Sequence, residues 1–281
     1  MRVNNDIQPH QRIMMPVTRS TLQSTTSISR FARPVLASVL AIAVLAFAPW
    51  TLAHENKDQQ PDEQAKPPQR DVPTEHEMRE LAGWQIRVDK RLLQEPDAEL
   101  GQRALNMLEA RLRAIEVVMP DKALEQLREI LIQLDLDHDD LRAMQYHPSA
   151  GWLRDNGYSE DLEKVVHLPR AQALLNRQTA RAMPWVILHE LAHGYHDLVL
   201  GFDHPGILEH FEQVKEQRNL EEVLHASGRL QRHYALTDHK EWFAEMTEAY
   251  FGSNDFYPFV RAELYMFDRE GHDLVKEVWG D

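Results

Sequence analysis

The sequence predicts an α+β fold, mostly helical, with one small β-sheet and a histidine-bearing helix near its middle. Three observations predict it. Apolar residues recur at helical spacing over most of the chain beyond residue 75, as in Leu105, Leu108, Leu112 and Ile115. Ile130–Leu136 is instead partly alternating, as strands are, and Ala143–His147 and Lys164–Leu168 are two further short strand candidates. The run His189-Glu190-Leu191-Ala192-His193 lies inside an apolar stretch with helix start and stop signals.

The first 53 residues carry five arginines and one acid, Asp6, and an apolar stretch from Val35 to Ala48. That stretch is short for a membrane span, which needs about 20 apolar residues. It fits the hydrophobic region of a secretory signal, cleaved after Ala53 or Ala48, with Met14 or Met15 as an alternative start. An uncleaved N-terminal anchor with the same exported topology is the alternative. Either way the expected location is periplasmic or secreted. Residues 54–73 are polar and proline-rich and read as a disordered linker, leaving 74–281 as the folded domain. The whole chain has net charge −14; without residues 1–53 it has 26 basic and 44 acidic residues, net −18. Such an acidic domain argues against nucleic acid and anionic membrane surfaces as partners. There is no cysteine, which excludes disulfides, a thiolate metal site and a lipoprotein-type anchor.

Within the domain, helices are expected over Glu75–Leu93, Ala98–Met119 and from Asp121 to Leu127. Ile130–Leu136 is read as a strand, with a continued helix as the alternative. Ala143–His147 and Lys164–Leu168 are further strands around a loop containing Pro148, Gly151 and Gly157. The histidine helix is expected at 183–200, opened by Pro184 and closed by Gly201. Helices follow at Ile207–Gln217, Leu220–Tyr234, Glu241–Phe251, Ala262–Glu270 and His272–Val278.

His189 and His193 are four apart and share one helical face. Their imidazoles can hold one zinc ion, and Glu190 between them can reach a water on it. The arrangement points to a zinc-dependent hydrolase, most often a peptidase. A catalytic zinc needs a third protein ligand and an open position. A histidine six residues after His193 would supply it in one known pattern, but that position is Val199. His196 follows too closely and is read as a supporting residue. Glu241, Glu245 and Glu248 fall at i, i+4 and i+7 on a helix otherwise apolar and aromatic. Buried carboxylates need a cation or donors. Glu241 as ligand, with Glu245 accepting an N–H from a ligating imidazole, is one assignment; Glu245 on the metal is the other. Asp197 either supports a ligand or caps the helix. In folds of this kind a substrate peptide pairs with a sheet edge, and Met144–Ser149 is the candidate edge.

Together, His189-Glu190-Leu191-Ala192-His193 and Glu241-Trp242-Phe243-Ala244-Glu245 resemble the catalytic domain of anthrax lethal factor and its bacterial relatives, a gluzincin-like group of zinc metallopeptidases. The resemblance is strongest over about residues 144–260. Tyr146-His147-Pro148-Ser149, Gly151-Trp152-Leu153 and Asn254–Phe259 are closer to bacterial and fungal metallopeptidase-like proteins than to the toxin. The resemblance implies a zincin-like fold, zinc ligands His189, His193 and Glu241, and a tyrosine, Tyr234, near the scissile carbonyl.

The expected chemistry is hydrolysis of a peptide or protein substrate, with Glu190 as general base on a zinc-activated water and Tyr234 stabilising the oxyanion. His233 and His239 are competing donors. Two other readings stand beside it: a non-catalytic zinc-binding envelope protein, its metal closed off by His196 or His239, and a helical scaffold without metal.

Overall fold

In the computed structural model, the described residues are 73, 75–138, 141–177 and 183–281. The expected leader at 1–53 and nearly all of the linker at 54–73 lie outside them. The fold is mixed α and β, mostly helical with a small sheet.

The described chain begins with a β-hairpin, β1 (His76–Leu81) and β2 (Trp84–Asp89), where the sequence predicts a helix. The reason is visible in β2. Trp84, Ile86 and Val88 are buried while Gln85 is exposed and Arg87 half-buried, a period of two. Ala82 and Gly83, at φ 50° and 89°, form the tight turn whose hand matches strand twist. β1 is an edge strand dressed in charge (Glu77, Arg79, Glu80), so it lacks an apolar stripe of either period.

A 3₁₀ turn (Lys90–Leu93) leads into α1 (Ala98–Val118), whose Ala104, Leu108, Leu112 and Ile115 enter the core. Asp121–Arg128 forms α2, and its Leu127 carbonyl accepts the Trp84 indole N–H at 2.9 Å. The strands β3 (Ile132–Leu134), β4 (Gln145–Tyr146) and β5 (Val166–Leu168) complete a sheet of order β1-β2-β3-β5-β4. β2, β3 and β5 run parallel, and β1 and β4 are antiparallel edges. The segment expected as a loop between β4 and β5 contains a short helix, α3 (Ala150–Asp155), capped by Ser149. Ala171–Leu174 forms α4.

The histidine helix is α5 (Val186–Tyr195), continued by a wide π turn over His196–Leu200 and stopped at Gly201, φ 82°. His204 and Pro205 open α6 (Pro205–Gln217). The helix expected at Leu220–Tyr234 is instead a small hairpin, β6 (Val223–Leu224) and β7 (Leu230–Gln231), followed by a 3₁₀ turn at Tyr234–Leu236. Gly228, at φ 79°, turns the chain there. Asp238 caps α7 (His239–Phe251) by accepting the N–H groups of Lys240 and Glu241. The chain closes with α8 (Arg261–Phe267) and α9 (Arg269–Trp279). Among the described residues, no helix is long and apolar enough to cross a membrane.

α5 packs along α7, and β4 lies against α5. Trp279 locks this arrangement from behind. Its ring stacks on Tyr195 of α5 at 4.1 Å and on Phe243 of α7 at 5.7 Å, and its N–H reaches Thr247 Oγ1 at 3.0 Å.

Gly101 of α1 lies directly against the Leu92 carbonyl; a Cβ there would stand 1.8 Å from that oxygen. Backbone cannot yield as a side-chain tip does. Gly101→Ala is therefore expected to cost about 3 kcal/mol, the upper range for overpacking. A urea melt would show a lower midpoint with unchanged slope.

Candidate metal centre

Three groups of His, Asp and Glu among the described residues bring their ligand atoms close enough to hold a metal ion: His189/His193/Glu241, His189/Glu245/Glu248 and Asp135/His138/His167. Their spacings separate them. Nitrogen and oxygen ligands about 2.0–2.1 Å from a tetrahedral ion lie about 3.3 Å from each other. In the first group, Glu241 Oε2 is 3.1 Å from His189 Nε2 and 3.2 Å from His193 Nε2. In the third, His167 Nε2 and His76 Nε2 donate to Asp135 at 2.7 and 2.8 Å, and Gln133 donates at 2.8 Å. Those are hydrogen-bond distances, and this carboxylate is already satisfied by three donors. In the second group, His189 Nδ1 is 2.7 Å from Glu248 but 3.7 Å from Glu245. The first group fits an ion best, and two imidazoles with one carboxylate suit a divalent transition metal.

Local structure explains this convergence. The i, i+4 spacing on α5 turns both imidazoles toward α7. The Asp238 cap starts α7 so that Glu241 falls in its first turn. His189 donates Nδ1–H to Glu248 Oε1 at 2.7 Å and turns Nε2 toward Glu241, where loss of the Nε2 proton would make it a ligand. The imidazole's carboxylate partner is thus Glu248, not Glu245 as the sequence suggested. One further turn along α7 is what faces His189 across the helix pair. Glu245 is buried beside them; its Oε2 lies 3.7 Å from His233 Nδ1 and is itself without a hydrogen bond.

The electrostatics ask for a cation. Burial pushes Glu245 and Glu248 above the usual carboxylate range. Burial acts the same way on Glu241, but hydrogen bonds from His189 and His193 outweigh it and hold Glu241 well below that range. Burial alone would lower His189, yet its bonds to Glu241 and Glu248 lift it well above 6.5. Facing carboxylates thus stabilise positive charge at this point, whether carried by a proton or a metal.

The centre opens into a cleft of about 710 Å³, lined by Met144, Tyr146, Val186, Glu190, Tyr234 and Phe256 among others. Glu190 is buried in its wall, and Oε2 accepts the Tyr146 backbone N–H at 2.8 Å. Burial raises its pKa. Tyr234 stands half-exposed, its hydroxyl 3.5 Å from Glu241 Oε1.

The remaining candidates take other places. His196 is buried among the rings of Phe202, Phe243 and His239, its ring nitrogens lack partners, and its pKa falls to about 3 through burial. His239 Nε2–H donates to the Phe202 carbonyl at 2.8 Å. His233 Nδ1 accepts the Ala235 N–H and caps the 3₁₀ turn. None of the three joins the His189/His193/Glu241 group. Asp197 neither caps the helix nor supports a ligand; it accepts the Tyr146 hydroxyl and the Lys164 ammonium. Sequence reading placed Glu248 on the face of Glu241 by its i+7 spacing but gave it no role. It also passed over Lys164, for which no local signal exists.

No family model, curated protein or solved structure gives a significant match to this chain.

Two outcomes are expected. The purified protein should bind one equivalent of metal; His189→Ala and Glu241→Ala should abolish binding, and Glu248→Gln should weaken it about 10- to 100-fold, by competition titration. Second, burial and the neighbouring His167 and His138 depress His147 to about 3. Between pH 6.5 and 3 the unfolded chain then binds the proton that the folded one refuses. Stability should fall as pH falls through that window, by up to about 1.4 kcal/mol per unit from this group. Urea midpoints measured across it should slope less steeply in His147→Gln.

Proposed function

We propose that this chain is a zinc-dependent peptidase of the gluzincin-like, zincin-fold kind. His189, His193 and Glu241 hold the zinc, Glu190 is the general base and Tyr234 an electrophilic donor. The observation that carries this reading is the meeting of two imidazole Nε2 atoms and one carboxylate oxygen at 3.1–3.2 Å, beside a second carboxylate in an open cleft. When bound, zinc acts as a Lewis acid that brings the pKa of water from about 15.7 toward 7.

The chain's own groups divide the remaining work. Glu190 has one oxygen tied to the Tyr146 amide, which leaves Oε1 to take and return a proton. Its raised pKa suits a group that must do both. The Tyr234 hydroxyl, pushed upward by burial and by Glu241, stays protonated and can donate to a developing oxyanion. β4 is an edge strand, and Met144 and Tyr146 line the cleft, so an extended peptide can add to it as a further strand.

A closed, purely structural zinc would need a fourth ligand. Of the two residues suited by position, His196 is packed among the rings of Phe202, Phe243 and His239, and His239 donates to the Phe202 carbonyl; neither joins the His189/His193/Glu241 group. The apolar stretch Val35–Ala48 supports export, with action outside the cytoplasm.

Glu190→Gln is expected to keep the metal and lower turnover of a peptide library at least about 100-fold. Tyr234→Phe should lower kcat about 100-fold with little change in KM. Chelator-resistant cleavage, or full turnover in Glu190→Gln, would refute the reading.

A further inference from the structure

Tyr146 lies lengthwise along one face of α5. Its backbone N–H meets Glu190 Oε2 at 2.8 Å, and its hydroxyl donates to Asp197 Oδ2 at 2.8 Å. Between these ends the ring passes over Gly194; a Cβ there would stand 3.3 Å from the ring and 2.7 Å from Ile130. Residues 190, 194 and 197 are i, i+4 and i+7, so the tyrosine spans two turns of one helical stripe. Asp197 also accepts Lys164 Nζ at 2.6 Å, and the same ammonium donates to the Pro148 carbonyl at 2.8 Å. Lys164 sits in the left-handed region, φ 60°, while its N–H bonds the His147 carbonyl at 2.7 Å. A non-glycine residue holds that conformation only where its surroundings impose it.

We infer that Tyr146, Asp197 and Lys164 form a positioning clasp that pins the edge strand β4 to α5 and so aims the Tyr146 amide at the Glu190 carboxylate. This rests on the proposed role of Glu190. The polar ends of the three side chains are committed to one another and to the Pro148 carbonyl rather than to substrate. They act through the carboxylate, by deciding which of its oxygens is tied down. A strand free to slide along the helix would leave both oxygens to reorient, and small misplacements of a reacting group are costly.

The test uses the full chain loaded with zinc. The Tyr146 amide is observed by NMR, and peptide turnover and zinc stoichiometry are measured on the same samples. In the parent protein the amide proton should resonate downfield and exchange slowly, as a donor to a carboxylate does. Tyr146→Phe and Asp197→Ala should move it upfield, speed its exchange and lower kcat about 10- to 100-fold, with KM and zinc content nearly unchanged. Asp197→Asn keeps an acceptor oxygen and should recover most of both signals. An amide unmoved in Asp197→Ala overturns the clasp, whatever happens to turnover. A shifted amide with unchanged kcat overturns its positioning role. Should Asp197→Ala fail to fold, Lys164→Met carries the same measurements. If the parent cleaves no peptide, the peptidase reading fails, and the amide response still decides whether the clasp exists.

Discussion

The structure turns on the burial of carboxylates from α7 against histidines from α5. Glu241, Glu245 and Glu248 occupy one side of a helix that is buried from Trp242 to Tyr250. Taking such groups out of water is unfavourable unless positive charge meets them. Apolar packing, with Trp279 wedged between Tyr195 and Phe243, forces the two helices together and leaves the carboxylates no retreat. The charge that must be present is supplied by the imidazoles or by an ion between them. Core packing and site chemistry are therefore one problem with one solution.

Much of this was legible in the sequence. α1 and α2 announce themselves by apolar residues at a period of 3.6, and α7 by its apolar and aromatic faces. The i, i+4 pair on α5 shares one face as its spacing implies, and of the two acids the sequence left open, Glu241 is the one that meets both imidazoles. The hairpin β1–β2 was not legible, because a charged edge strand and six residues of alternation look like an irregular amphipathic helix. The β6–β7 hairpin is hidden for a similar reason, its strands being two residues long.

The finer errors at the site have a different origin. On α7, Glu245 and Glu248 both lie near the face that Glu241 defines. Which of them meets His189 depends on how two helices cross, and no local spacing encodes that. Asp197 was misread because its partners are Tyr146 and Lys164, 51 and 33 residues away in the chain. The Asp135 network makes the same point about chemistry. Its residue types suit a metal as well as those of α5 do, but its distances are those of shared protons.

The two walls of the cleft are built differently. On the β4 side, strand and helix are joined at both ends of one aromatic ring. On the other side stand Tyr234, from a 3₁₀ turn, and the bridged pair His225 and Phe256. The strand wall and the histidine helix therefore behave as one unit: the strand cannot shift without carrying the partner of the Glu190 carboxylate with it.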